Sequence, residues 1–160
     1  MEPVSTMAYF WKYIQELRRE KYLFYILDNQ VRPGEALYQQ CLHEGLRVDR
    51  KYYACILMED SEKNYELFDR ITSGPTAEGE LIDTYSLYIL GNKYLFLLAS
   101  DMPKEEFSRL LTDLTEGGNE LVRVSEVIEG VENVRKAYTS VCWPERQETN
   151  ASENTAASYP

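Results

Sequence analysis

Two acids and one lysine beside predicted strand ends are the candidates for binding chemistry. Glu59 and Asp60 directly follow the apolar run Tyr52–Met58, and Lys93 closes a predicted turn at residues 91–93. Side chains placed where strands end can surround the mouth of a pocket. We therefore expect a weak small-ligand or nucleotide site at Glu59, Asp60 and Lys93. Asp60 is also explained as a helix cap or a solvated loop acid.

Other catalytic chemistry has little support in the sequence. There is no G-x-S-x-G, P-loop or H-E-x-x-H pattern, and Gly117-Gly118 is more typical of a helix end than of a phosphate-binding loop. His43 is the single histidine, so a serine or cysteine nucleophile would have only one candidate base. We expect no catalytic residues, no metal site and no cofactor.

The composition argues against nucleic-acid and membrane partners and favours a cytoplasmic location. The net charge of −10 argues against direct nucleic-acid binding, which requires clustered Lys and Arg. Three widely spaced cysteines without a C-x-x-C pair favour a reducing cytoplasm. The N-terminus lacks the pattern of a signal peptide, and no apolar run has the length of a membrane span. We expect a cytoplasmic protein that does not contact membranes.

The first 28 residues predict one long helix with Ser5 or Thr6 as its cap. Its apolar residues recur at steps of three and four, and Lys21 falls on the same line. The helix can dock on its own domain, which we favour slightly because roughly three heptads are marginal for an isolated coiled coil. Alternatively it pairs with a second copy and transmits a signal. The predicted interface consists of Phe10, Trp11, Ile14, Leu17 and Phe24.

The rest of the chain alternates strand and helix patterns. A second helix is expected between Pro33 and Gly45, a buried strand at Tyr52–Met58, and a hairpin within Asp83–Ser100. Further helices are expected near residues 61–71, 101–116 and 131–141, with a short edge strand at 120–125. This order predicts an α+β fold with a ferredoxin-like antiparallel sheet and helices on one face, preceded by the two leading helices.

The division into parts follows composition. Residues 1–30 form a signalling or docking helix, residues 31–143 form the domain, and the polar residues 144–160 read as a disordered tail.

Three stretches of the chain carry a resemblance to a known family. They are L-Y-Q-Q-C-L-H-E-G-L-R-V-D-R-K-Y-Y-A-C-I-L at Leu37–Leu57, I-L-G-N-K-Y-L-F-L-L at Ile89–Leu98, and V-S-E-V-I-E-G-V-E-N-V-R-K-A-Y at Val124–Tyr138. In their order and spacing they resemble the degenerate GGDEF-like domain of bacterial transcription regulators. These include the sugar-diacid regulators and the middle region of response regulators that carry AraC-type DNA-binding domains.

The resemblance implies a regulatory domain without cyclase activity. A diguanylate cyclase needs carboxylates that hold Mg²⁺ at a triphosphate, one from the first strand end and one from the hairpin turn. Glu59 or Asp60 matches the first position, but Asn92 and Lys93 stand at the second, and a lysine repels a metal ion. We expect no enzyme activity. We also note that no receiver domain or helix-turn-helix is recognisable beside the domain.

Two functional hypotheses follow. The first is a non-enzymatic signal-relay module of a transcription regulator in two-component signalling, acting as a homodimer or through neighbouring regulator domains. The second is a sensor of a small ligand or nucleotide, with its pocket near the first strand and the hairpin. An active enzyme and an acidic mimic of nucleic acid rank below both.

Overall fold

The computed structural model of the chain describes residues 3–73, 82–89, 91–117 and 122–142. These residues form five helices, five strands and two short 3₁₀ turns, at Glu62–Asn64 and Val131–Asn133. In chain order the elements are α1 (Pro3–Asp28), α2 (Ala36–His43), β1 (Tyr52–Glu59), α3 (Tyr65–Ser73), β2 (Ile82–Ile89), β3 (Lys93–Ser100), α4 (Lys104–Leu114), β4 (Val122–Val124), β5 (Ile128–Glu129) and α5 (Val134–Cys142).

The strands form one antiparallel sheet in the order β2-β3-β1-β4, and β5 pairs with the beginning of β1. Cys55 of β1 lies opposite Leu97 of β3, and Ile56 lies opposite Val124 of β4. With α3 between β1 and β2, and α4 between β3 and β4, this is the ferredoxin-like arrangement. The predicted α+β class is therefore confirmed.

The turn between β2 and β3 shows why the hairpin was predictable. Gly91 and Asn92 have φ angles of 88° and 57°, in the left-handed region that most residues avoid. A tight turn between antiparallel strands needs this backbone, and Gly-Asn provides it at low steric cost. The hairpin register follows, with Tyr88 of β2 opposite Tyr94 of β3.

Helices cover both faces of the sheet. Helices α3 and α4 lie on the face of Ile56 and Phe96, whereas α1, α2 and α5 lie on the face of Cys55 and Leu97. The expectation of helices on one face thus holds for α3 and α4 only. The physical reason is that β1 is apolar on both faces and both must be shielded from water.

Helix α1 divides into two halves with different surroundings. Leu23, Ile26 and Leu27 are each about 1% exposed and belong to the core that also holds α5 and the sheet. Arg18 additionally pairs with Glu44 at the end of α2, with 2.9 Å between Nη2 and Oε2. The second half of the predicted segment 1–30 is therefore part of the core of the domain.

Several predicted helix boundaries differ from the structure. Helix α1 begins at Pro3, so Ser5 and Thr6 lie inside it rather than at its cap, and α2 begins three residues after Pro33, at Ala36. Ser61 precedes the first 3₁₀ turn but makes no side-chain cap bond. The predicted tail at 144–160 lies outside the described residues.

Candidate functional site

An open pocket of about 490 Å³ lies where β1 ends and α3 begins. Its size is within the range of small-molecule sites in proteins. Nine residues line it: Met58, Glu59, Asp60, Ser61, Glu62, Asn64, Tyr65, Phe68 and Tyr94.

Hydrogen bonds fix the turn that carries the acids of the pocket. The Asp60 backbone N–H donates to the Asn92 carbonyl over 2.8 Å, which ties this turn to the hairpin. Asn64 is buried, and its side-chain amide donates to the Glu59 carbonyl over 2.9 Å. Because buried amides seldom lack partners, Asn64 sets the path of the chain between β1 and α3. Asp60 and Glu62 remain exposed on this turn.

Aromatic rings form the wall of the pocket. The ring centroids of Phe68 and Tyr94 lie 4.8 Å apart, with a tilt of 55° between their planes. Tyr88 packs edge-to-face against Tyr94, with its centroid 4.9 Å away. Tyr65 at the rim is 69% exposed, so its ring is free to contact a ligand. The aromatic wall joins the first turns of α3 to the hairpin.

The pocket is acidic as well as aromatic. Glu59, Asp60 and Glu62 line it, and none of the nine lining residues is Lys, Arg or His. Partial desolvation and the nearby Asp60 carboxylate raise the pKa of the Tyr88 phenol. Within the described ranges, no group of three or more His, Cys, Asp and Glu residues could hold a metal ion.

Asp60 and the end of β1 at Glu59 line the pocket, whereas Lys93 does not. Glu59 lies directly opposite Lys93 in the sheet, so the side chains of these two residues share the face away from Tyr94. Successive side chains of a strand point to opposite faces. Tyr94 takes the pocket face, so Lys93 lies on the face of α5. Its charge there lowers the pKa of the Cys142 thiol, although desolvation has the larger effect and the net value is about 11. The place of Lys93 at the hairpin turn did not indicate which face of β3 its side chain would take.

Sequence reasoning missed the aromatic lining of Tyr65, Phe68 and Tyr94. Phe68 and Tyr94 belong to different elements, and nothing in their local patterns indicates that they meet. The available signal was the alternation in β3, where Tyr94, Phe96 and Leu98 form the face that packs against α3 and α4.

The predicted interface residues form an exposed surface on α1. Phe10, Trp11, Leu17 and Phe24 are 44–59% exposed, and Ile14 is half-buried. They do not form the docking face, which consists of Leu23, Ile26 and Leu27. On an ideal α-helix the centres of the two sets are roughly 160° apart. The predicted residues thus lie on the side of α1 that faces away from the sheet.

This exposed side follows a heptad spacing. Six residues at alternating steps of three and four form a line along this side of the helix, which we call the seam: Met7, Phe10, Ile14, Leu17, Lys21 and Phe24. Large apolar side chains are normally scattered singly over a protein surface, whereas here they follow one another along a helix. The seam is therefore the main exposed apolar feature of the described helices.

The remaining nucleophile candidates lack the surroundings of reactive groups. Burial, with a contribution from Glu44, raises the pKa of Cys41 to about 11, and burial raises that of Cys55 still further. A thiolate, rather than a thiol, is the nucleophile. His43 is exposed at the end of α2. Among the interactions of the described residues, none joins His43 to a catalytic group.

Native thiols are accordingly expected to react slowly. At pH 8 a disulfide reagent such as 5,5′-dithiobis(2-nitrobenzoate) should label Cys41, Cys55 and Cys142 at least tenfold more slowly in the native chain than in urea. Because the folded-state pKa values are raised, the stabilising effect of the neutral thiols is fully present below pH 8 and is lost as pH rises toward 11. Rapid labelling of a native thiol at pH 8, with mass spectrometry to locate it, would contradict this assignment.

Comparisons with known proteins give no relative. No protein-family model, curated protein or solved structure matches this chain. None of the helices in the described part of the chain is long and apolar enough to cross a membrane.

Proposed function

We propose that this chain is a non-enzymatic regulatory module that relays a conformational signal through pairing of α1 with α1 of a second copy. The observation that carries the proposal is the exposed seam on the side of α1 opposite its docking face. The helix thereby joins two surfaces: one packs on the sheet, and the other is free for a partner.

The spacing of the seam favours a second copy as the partner. A heptad line matches an identical line in a parallel coiled coil, because each side chain meets its equivalent at the same height. From Met7 to Phe24 the seam is about 27 Å long. An isolated helix pair of this length would be marginal. Here the docked half already holds the helix folded, which lowers the ordering cost of pairing.

Lys21 fits this pairing as a polar position in an apolar line. Its Nζ lies 5.8 Å and 5.9 Å from the ring centroids of Tyr22 and Tyr25, respectively. A single polar residue at a core position reduces stability but favours one register and one number of helices. This supports a defined pair over nonspecific association.

The proposal places the module in a GGDEF-like regulator of bacterial transcription. The three stretches that resemble that family, and the ferredoxin-like strand order, support this assignment. The turn sequence Gly91-Asn92-Lys93 supports a role without cyclase chemistry, because it offers a lysine where a metal-binding acid would be needed.

Light scattering after gel filtration, over a concentration series, tests the pairing. The intact chain is expected to give a dimer mass at micromolar concentration. The double variant Phe10→Asp/Leu17→Asp is expected to be monomeric up to at least tenfold higher concentration, because four carboxylates would be buried in the seam. Its thermal unfolding midpoint should match that of the intact chain when both are measured as monomers.

Lys12→Glu provides the matched control, because Lys12 is exposed on the same half of α1 but lies off the seam. It should leave the dimer intact. A wild-type chain that stays monomeric at all concentrations would refute pairing with a second copy, and the seam would then be a surface for a neighbouring regulator domain.

The second candidate function is ligand sensing, which the pocket at the end of β1 favours. An open pocket with an aromatic wall, lined by the end of β1, the start of α3 and Tyr94 of β3, supports this candidate. The acids of the pocket do not favour a nucleotide, because the lining offers no cation for the phosphates.

A further inference from the structure

We propose that the pocket at the end of β1 binds a small organic ammonium ion, either a quaternary ammonium or a protonated amine. The proposal deepens the ligand-sensing candidate and is independent of the pairing of α1. It rests on three properties of the lining: its rings, its acids and its lack of basic side chains.

The rings provide surfaces that attract a cation. Phe68 and Tyr94 meet at 55° and form a corner, and Tyr65 stands exposed at the rim. The face of an aromatic ring carries negative potential, so several rings around one volume bind ammonium groups with little dependence on direction. Tyr88 contacts the Tyr94 ring edge-to-face, with the two centroids 4.9 Å apart.

The acids add charge on the same side of the volume. Asp60 and Glu62 are exposed on the turn at the pocket mouth, and Asn64 fixes that turn by its bond to the Glu59 carbonyl. A carboxylate in this position attracts a cation over several ångströms and donates nothing to an anion. Together the rings and acids favour a cation that has an apolar surface.

Other ligand classes fit this lining less well. A phosphate or carboxylate group would meet Asp60 and Glu62 without any Lys, Arg or His in the lining to offset them. A bare divalent ion requires several oxygen ligands at short range. The acids of the described residues do not converge in that way. An organic cation needs neither basic partners nor a coordination shell.

Calorimetric titration with matched probes tests the proposal on the full chain. Choline should bind with a measurable Kd, and its neutral isostere 3,3-dimethyl-1-butanol should bind at least tenfold more weakly. A separate titration with spermidine shows whether the pocket prefers a polyamine or a quaternary ammonium. GTP with Mg²⁺ tests the nucleotide alternative.

Variants locate the binding in the pocket. Asp60→Asn and Tyr65→Ala alter exposed side chains of the lining, so they should fold normally and each weaken choline binding at least threefold. Glu66→Gln is the matched control, since Glu66 is an exposed acid of α3 outside the lining, and it should change the Kd less than twofold.

Four outcomes would overturn the proposal. The first two are equal binding of choline and its neutral isostere, and no binding of choline or spermidine at concentrations on the order of 10 mM. The other two are choline binding that Asp60→Asn and Tyr65→Ala leave unchanged, and preferential binding of GTP with Mg²⁺. None of these outcomes would bear on the light-scattering test of the α1 seam.

Discussion

A chain that begins at Gln30 is expected to lose most of its folding stability, whereas a chain that begins at Arg18 is expected to keep it. The shorter chain lacks Leu23, Ile26 and Leu27, which are buried against the sheet and α5. Burial of each such side chain contributes about 2 kcal/mol. Their combined loss is comparable to the whole stability of a typical domain, about 5–15 kcal/mol.

Urea unfolding followed by circular dichroism compares the two truncations. The chain from Arg18 retains the buried residues and the ion pair to Glu44, so its free energy of unfolding should match that of the intact monomer within about 1 kcal/mol. If the chain from Gln30 unfolds cooperatively with similar stability, then α1 contributes little to the core and the packing described above is wrong.

Replacing Arg50 with leucine is expected to cost about 2–3 kcal/mol of folding free energy. Arg50 is 9% exposed, and its guanidinium contacts Asp83 at 2.7 Å and Asp101 at 2.9 Å. It therefore connects the start of β1 to β2 and to the end of β3. Its removal leaves two carboxylates near a partly buried site without their shared partner, although the exposure of Asp101 limits the cost.

Arg47→Leu is the matched control for this prediction. Arg47 also pairs with an aspartate, Asp49, over 2.9 Å, but both side chains are about 40% exposed. Screened surface pairs contribute about 0–1 kcal/mol. Arg50→Lys should lie between the two variants, because lysine keeps the charge but does not reproduce the two-sided contacts of a guanidinium. Equal losses for Arg50→Leu and Arg47→Leu in urea unfolding would contradict the role assigned to Arg50.

The sheet was predictable from local signals. The apolar run in β1 indicated a central strand, and Gly91-Asn92 indicated the hairpin turn, because few other residue pairs adopt that backbone. The order of strands and helices then limited the topology to a ferredoxin-like sheet. Each of these inferences depends on residues that are neighbours in the sequence.

The docking face of α1 was not predictable in the same way. Apolar and aromatic residues occur around most of this helix, so periodicity alone did not show that Leu23 and Ile26 pack inward while Leu17 and Phe24 stay exposed. The choice depends on which residues meet α5 and the sheet, and those contacts join distant parts of the chain.

The candidate site was predicted in part. Asp60 and the end of β1 at Glu59 line a pocket, and a strand end locates them without knowledge of the tertiary fold. Lys93 does not line it, since alternate residues of a strand point to opposite faces. The ring of Tyr94 occupies the pocket face in its stead.

The opposed faces of α1 have a consequence for the shape of a pair. No glycine or proline interrupts the sequence from Val4 to Asp28, so both faces belong to one stiff rod and keep a fixed angle to each other. Two molecules joined along the seam would stand back to back, with the rods at the centre and the sheets outside them. The pockets, which lie on the α3 side of each sheet, would then be separated from the rods by the sheets, and neither would be covered by the other molecule.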